Sequence, residues 1–256
     1  MSRSLRRMRP TAWSRMHTDV SGPSDPADGS NLLAVLQFSD SFFPSGATAF
    51  SWGLESFCED ALIGGPGQIA EVLEALLLGR WAGFDRPLML AAHGACAATG
   101  VCWMSDVAAL DSLCEAMTLS DGIRSASRRL GTTQLKVHSA LGLAEAMAYQ
   151  DHISSDPSKG HLPIAQGLIG RGLGLSLDEC EAMAAFGQCV SVVGAAIRLG
   201  VIGHLDGQRL LSKCRSLITA TQATEPPALD DLWNAAPGME IAAMRHEPRR
   251  ARMFAS

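Results

Sequence analysis

The chain has 256 residues and a net charge of −5, with 47% hydrophobic and 18% charged residues. This length allows one large domain or two small ones, and the apolar content is enough for a sizeable core. The acidic balance argues against a nucleic-acid-binding protein, which usually carries a basic excess or stripe. Only three lysines are present and no GxxxxGK[ST] stretch occurs, which excludes a P-loop nucleotide site.

The seven cysteines indicate a reduced protein. Their number is odd, no CxxC pair occurs, and no apolar leader of the secretory kind precedes them. Small buried thiols in a cytoplasmic protein fit this usage better than a disulfide framework does. The longest apolar run, 182–197, is shorter than the ~20 residues that cross a bilayer. We therefore expect a helix buried in a core there, and no membrane segment.

Residues 1–30 differ in composition from the rest of the chain. Five arginines come first, and a stretch rich in Ser, Gly, Pro and Asp follows. Such a segment cannot bury enough apolar surface to fold alone, so we expect a disordered N-terminal extension. An Arg- and Ser-rich transit peptide is the alternative.

From residue 31 onward, apolar residues recur at helical spacing between Gly and Pro breaks. Ser176 and Glu179 have the spacing of a capping box, and no alternating strand pattern occurs. The sequence predicts an all-α fold, a single compact helical bundle of about nine to ten helices over 31–223, followed by a C-terminal tail over 224–256. The predicted helices cover 32–38, 49–63, 67–84, 86–98, 107–118, 123–149, 163–173, 176–199 and 207–221.

Several glycines fall inside these helical patterns, namely Gly142, Gly167, Gly187 and Gly194. A glycine costs ~1 kcal/mol against alanine in an exposed helix. We expect close helix–helix contacts to be the reason for them, because a residue without a side chain lets two backbones approach.

The motifs of the common enzyme classes are missing. The seven histidines form no HExxH and no His–Cys pattern typical of zinc, and no GxSxG occurs. The glycine-rich stretch 170–174 follows no strand, so a helix-ending turn explains it better than a phosphate loop does. The sequence therefore predicts a protein that is not an enzyme, with no metal site and no directly bound cofactor.

The first unusual stretch is 36–55, LQFSDSFFPSGATAFSWGLE. Pro44 and Gly46 interrupt the first helix, and aromatic residues including Phe50 surround the break. A core-facing aromatic turn is the favoured interpretation, and a docking surface for a partner is the alternative. The candidate residues of this N-terminal motif are Pro44, Gly46, Phe50, Ser51, Gly53 and Glu55.

Two further stretches could contact other proteins. Arg124 and Arg128 share one helical face four residues apart, where they repel each other unless acids lie opposite. They indicate either a solvated face or a surface for an acidic partner. The basic C-terminal end could be frayed, or it could become ordered on a partner, which we favour because Arg and Met are enriched in interface cores. Its candidate residues are Met244, Arg245, His246, Glu247, Arg252, Met253 and Phe254.

Together, residues 36–55, 161–167, 191–208 and 244–256 resemble the UreF family of urease accessory proteins. Residues 36–55 follow the family's opening pattern position by position. HLPIAQG at 161–167 resembles its His/Pro/Gly segment, and SVVGAAIRLG at 191–200 resembles its valine- and alanine-rich helix. MRHE and RMFAS at the C-terminus resemble its final signature. The resemblance covers 32–256.

The resemblance implies an all-α, homodimeric, non-enzymatic chaperone of urease assembly in the cytoplasm. Its partners would be the accessory protein UreD (also called UreH), the GTPase UreG and apo-urease, and nickel and GTP would be handled by those partners. The C-terminal tail would dock on UreD/UreH. A regulator of the UreG GTPase cycle, with Arg124 or Arg128 as an arginine finger, is the alternative function.

Overall fold

The computed structural model describes residues 29–40, 42–47, 50–95, 103–154, 156 and 159–246. Within these residues the chain forms ten continuous helices and no strand, which confirms the predicted all-α fold. Residues 1–28 of the predicted N-terminal extension lie outside the described residues. The helices are α1 (Gly29–Ser39), α2 (Leu54–Glu59), α3 (66–95), α4 (Trp103–Met117), α5 (Asp121–Ala140), α6 (Ala144–Ile153), α7 (Leu162–Gly172), α8 (Leu177–Arg198), α9 (His204–Gln222) and α10 (Pro237–His246).

The third helix changes its winding along its length. It is α-helical over Pro66–Glu74, π-helical over Ala75–Asp85 and α-helical again over Arg86–Ala95. One buried apolar cluster surrounds its first half together with α8, α9 and the chain around Phe50. A second cluster surrounds its last part together with α4, α6 and α7. Helix α3 therefore belongs to both cores and holds them together.

The predicted helix over 123–149 is wrong as a single element. The chain turns at residues 141–143 between α5 and α6, and Gly142 there has a φ of 89°. That left-handed conformation favours glycine, so Gly142 ends a helix. By contrast, the capping box at the start of α8 is present as predicted, with Ser176 and Glu179 each bonding to the other's backbone N–H.

The other helical glycines differ in their surroundings. A Cβ at Gly167 would overlap the Met89 carbonyl oxygen, so α7 and α3 touch there as expected. Gly187 has nothing within 4 Å of such a Cβ, and Gly194 has only the end of the Arg198 side chain at 3.4 Å. The prediction of close contacts therefore holds at Gly167 and is wrong at Gly187 and Gly194.

The long apolar helix α8 is the only described helix with the length and hydropathy to cross a membrane. Most of that apolar stretch is buried inside the protein, with Ala185, Val192 and Ala196 among its fully or nearly fully buried residues. The neighbouring helices cover it, as the sequence analysis expected of a core helix.

Residues 233–246, which we call the C-terminal strap, pack against the body. The backbone N–H of Ala235 donates to the Gly79 carbonyl at 2.6 Å, and that of Trp233 donates to the Gly83 carbonyl at 3.1 Å. A side chain at Gly79 would meet the Ala235 carbonyl oxygen at 2.7 Å, and one at Gly83 would overlap the Trp233 ring. Gly79 and Gly83, both in the π-helical part of α3, therefore form the surface on which the strap lies.

Helix α10 continues the strap and buries one side. Met239, Ala242 and Ala243 are buried, whereas Met244 and Arg245 are exposed. A Cβ at Gly53 would approach the Ala242 Cβ at 2.9 Å, and Gly53 has a φ of 78°. The first part of the predicted tail is thus packed on the N-terminal motif, so removing α10 would expose core residues.

We predict that Gly83→Ala lowers the free energy of unfolding by about 1–3 kcal/mol, because the added methyl group displaces the Trp233 ring. Gly187→Ala is the matched control, since its site is open and mid-helical. It should raise stability by about 0.5–1 kcal/mol. Urea unfolding followed by circular dichroism measures both, and equal effects of the two substitutions would contradict the assigned strap contact.

Candidate functional site

A buried arginine lies where the C-terminal strap, the π-helical part of α3 and the N-terminal motif meet. Arg80 is 3% exposed, and its Nε and Nη2 donate to the two carboxylate oxygens of Asp85 at 3.0 and 3.2 Å. Its guanidinium carbon lies 5.8 Å from the Trp52 ring centre and 5.1 Å from that of Phe84. Burial opposes the charge, but Asp85 together with Cys114 and Glu240 outweighs that effect, and the pKa of Arg80 is raised. The cation is therefore retained in the core and orients Trp52.

Glu240 of α10 connects the strap to this arginine and to the start of α5. Its Oε1 lies 3.8 Å from Arg80 Nη1 and accepts from Asn234 Nδ2 at 2.8 Å. Its Oε2 accepts from the backbone N–H of Ser120 at 3.1 Å, and the Ser120 hydroxyl caps α5. A single carboxylate therefore ties the strap to two helices.

The N-terminal motif is divided between surface and core. Pro44 and Gly46 are exposed in a turn that lies beside Leu130 on α5, and Gly46 has a φ of 76°. The second half is inside the protein, where Phe50, Ser51 and Glu55 are buried. The second half therefore faces the core, as the favoured interpretation predicts, whereas docking of a partner on the exposed first half stays a prediction.

The arginine pair on α5 faces Glu115 near the end of the neighbouring helix α4. Arg128 Nη1 donates to Glu115 at 2.6 Å, and Arg124 Nε lies 3.8 Å from the same carboxylate. Arg124 also pairs with Asp121 and donates to the carbonyl oxygens of Thr118 and Leu119 at the end of α4. Both cations are already engaged within the chain.

Glu115 is also bound to a buried histidine that the sequence analysis did not single out. His161 Nε2 lies 2.8 Å from Glu115 Oε2, and its Nδ1 lies 3.1 Å from Ser127 Oγ. Burial lowers the pKa of His161, so the neutral ring donates to Glu115 and accepts from Ser127. The signal available in the sequence was the HLPIAQG stretch, but its partners lie 34 and 46 residues away.

This Ser–His–Glu arrangement is similar in composition to a hydrolase triad but differs in its surroundings. Ser127 is buried, and its Oγ also accepts from the backbone N–H of Leu162 at 3.1 Å. Asp111 accepts from the backbone N–H of His161 at 3.0 Å and from the Tyr149 hydroxyl. Each polar group therefore has a structural partner, and the arrangement fixes the start of α7 against α4 and α5.

Seven of the fourteen exposed large apolar side chains on the described residues lie at two places. On α1, Leu32, Leu33 and Leu36 are 61%, 67% and 58% exposed, and Phe42 just beyond is 95% exposed. We call these four residues the α1 surface. The three leucines lie on one side of α1, because Leu36 follows Leu33 by three residues and Leu32 by four.

The second place is the outer side of α10. Ile241 and Met244 are about half exposed, and Leu62, after α2, is more exposed still. Arg245 Nη1 donates to Asp60 at 3.5 Å, which places the end of α10 beside the end of α2. We call Leu62, Ile241, Met244 and Arg245 the α10 surface. The other predicted tail residues, Glu247, Arg252, Met253 and Phe254, and the side chain of His246, lie outside the described residues.

Within the described part of the chain, no three His, Cys, Asp or Glu side chains are placed to hold a metal ion together. The buried polar clusters are satisfied mainly by the chain itself. What the described surface presents to other molecules is apolar side chains and charges, which are suited to protein contacts.

We predict that Glu115→Gln lowers the free energy of unfolding at neutral pH by about 1–3 kcal/mol, because Arg128 and His161 lose a charged acceptor. Partial burial raises the pKa of Glu115, but the bonds from Arg128 and His161 outweigh this and lower it. Its contribution is therefore present above the unfolded-state value of ~4.3 and is lost as pH falls through the lower folded-state value.

Urea unfolding between neutral pH and pH ~3 should accordingly show a smaller loss of stability in Glu115→Gln than in the wild type. Glu71→Gln is the control, because Glu71 is exposed on α3. A Glu115→Gln variant with the same acid profile as the wild type would contradict the network.

Several known proteins that are similar to this chain share one name. The UreF family model matches residues 63–215. A urease accessory protein UreF from Arthrobacter sp. is 33% identical over 90% of this chain and 99% of its own length. The UreF proteins of Paenarthrobacter aurescens and Trichodesmium erythraeum are 31% and 29% identical, over 88% and 90% of this chain and 97% and 99% of their own lengths. Since the family model spans more than half of the chain and the relatives align almost end to end, this chain belongs to the UreF family of urease accessory proteins.

Proposed function

We propose that this chain is a non-enzymatic scaffold of urease maturation in the cytoplasm, which bridges UreD/UreH and the GTPase UreG while nickel is inserted into apo-urease. The family assigns the general role, urease maturation. The observation that supports an assembly role is the presence of two separate exposed apolar surfaces, one on α1 and one on α10, so that a second copy and a partner protein can bind at the same time. Nickel and GTP are the cargo and the substrate of the partners in this proposal.

The α10 surface is the proposed site for UreD/UreH. It combines exposed Ile241 and Met244 with the cation of Arg245, a composition found in interface cores. The remaining basic and apolar residues of the tail follow directly after α10 in the sequence. Because the buried side of α10 is held by Glu240 and by the contact at Gly53, its outer side is presented at a fixed place.

The α1 surface is the proposed homodimer contact. A monomer rarely leaves several large apolar side chains exposed side by side. Two copies of α1 related by a twofold axis would cover Leu32, Leu33 and Leu36 with the same residues of the other copy, as in an isologous interface. The proposed dimer would leave the α10 surface of each copy available, since a different element forms it.

Regulation of the UreG GTPase cycle is the second candidate. The feature that favours it is the position of Arg124 and Arg128, whose side chains remain about one quarter exposed. Both are paired with Glu115 in this structure, so either would have to leave that carboxylate before it could reach a phosphoryl group. The scaffold is therefore the preferred function.

The α10 surface predicts that Met244→Asp weakens co-purification with UreD/UreH by about tenfold or more, because a charge replaces an apolar contact in the interface. Thermal unfolding should change little, since the side chain is 44% exposed. Met147→Asp on α6 is the matched control at 49% exposure and should bind like the wild type. Undiminished binding by Met244→Asp would remove this surface from the proposal.

For the α1 surface, Leu33→Arg should convert the dimer to a monomer, because two buried like charges would face each other across the twofold axis. Light scattering after size-exclusion chromatography measures the mass. Leu78→Arg is the control, as Leu78 is also exposed but lies on α3. A Leu33→Arg protein that remains dimeric would place the dimer contact elsewhere.

GTP hydrolysis by UreG separates the two functions. If the chain is a scaffold, adding the wild type should leave the rate of GTP hydrolysis by UreG unchanged, or should change it to the same extent as adding Arg124→Ala or Arg128→Ala does. An arginine finger contributes 10³–10⁵-fold in related GTPases, so its loss would be unmistakable. A large acceleration by the wild type that disappears in Arg128→Ala, with the complex still formed, would favour the regulator.

A further inference from the structure

Helix α9 presents a long outer side that no described part of the chain covers. Its buried positions are spaced three or four residues apart, and they pack against α8 and α3. Gly207 lies close to α8, since a Cβ there would meet Val193 at 2.9 Å. The buried residues are Gly207, Leu210, Cys214, Ile218 and Thr221.

The outer side of α9 is basic in a protein that is acidic as a whole. Arg209, Lys213 and Arg215 are exposed, and Asp206 is the only acidic residue of the helix. Asp206 pairs with Arg209 at 3.0 Å, and because Arg209 is exposed and Asp206 is only partly buried, the pair is weak and exchangeable. Lys213 makes no ion pair with any described residue.

A cleft of about 610 Å³ runs beside this side of the helix. Its far wall is the first turn of α3, with Pro66, Gly67 and Ala70, and its near wall includes Arg209 and Lys213. These wall residues of α3 are small, so another helix could approach closely.

The N-terminus of α3 adds to the positive potential beside the cleft. Gly65, which precedes α3, gives the helix no side-chain cap, so its first N–H groups have no side-chain acceptor. The helix dipole adds partial positive charge there. The acids nearest on α3, Glu71 and Glu74, follow one turn later and do not line the cleft.

We propose that this cleft and the outer side of α9 dock an acidic helix of a partner protein in the maturation assembly. Two carboxylates four residues apart on that helix would match Arg209 and Lys213, which are themselves four residues apart on α9. One carboxylate takes the place of Asp206 on Arg209. The inference rests on the proposed function, because the partner is sought among the proteins of that assembly.

The test is a binding measurement with purified UreD/UreH, UreG and apo-urease, each in turn, at about 0.05 and about 0.3 M salt. One of them should bind the wild type with an affinity that falls as salt rises. The double variant R209E/K213E should bind that protein at least about tenfold more weakly at low salt, and its affinity should depend less on salt.

The control is R129E/K136E, which makes the same change of charge at two exposed positions of α5. It should bind like the wild type. If R209E/K213E binds all three proteins as the wild type does, the inference is overturned while the scaffold function stands. If none of the three binds even the wild type, the scaffold function itself fails. A variant that loses only its own dimer would identify a second copy as the occupant and would also overturn the inference.

Discussion

The buried guanidinium of Arg80 is the contact on which the arrangement of this protein depends. Its salt bridge to Asp85 spans the π-helical turn, and its faces lie against Trp52 and Phe84. Glu240 approaches it from the C-terminal strap. A cation at this depth is tolerated only while its acids remain in place, so the strap, the N-terminal motif and α3 are stable together or not at all.

In the proposed scaffold function, that constraint keeps the binding surfaces at fixed positions. The strap fixes α10 at one place, and α10 then presents Ile241 and Met244 outward. Helix α1 presents its leucines from a different element. Function by contact needs surfaces at fixed positions, and the buried ion pairs provide that positioning at some cost in stability.

The sequence was sufficient where structure is determined locally. Helical periodicity predicted the all-α fold, and the spacing of Ser176 and Glu179 predicted the start of α8. It was insufficient where the deciding partner is distant. Glu115 and His161 are 46 residues apart, and nothing local indicates their bond. The docking of the C-terminal strap depends on Gly53 and Gly83, which in the sequence are indistinguishable from ordinary turn or helix glycines.

Native mass spectrometry of the chain mixed with UreD/UreH and UreG tests the bridging role most directly. If this chain binds UreD/UreH and UreG at different places, the spectrum should contain one assembly whose mass includes this chain, UreD/UreH and UreG together. The same assembly should be missing when this chain is left out. Two binary complexes that exclude each other at every mixing ratio would contradict a bridge and would mean that the partners compete for one surface.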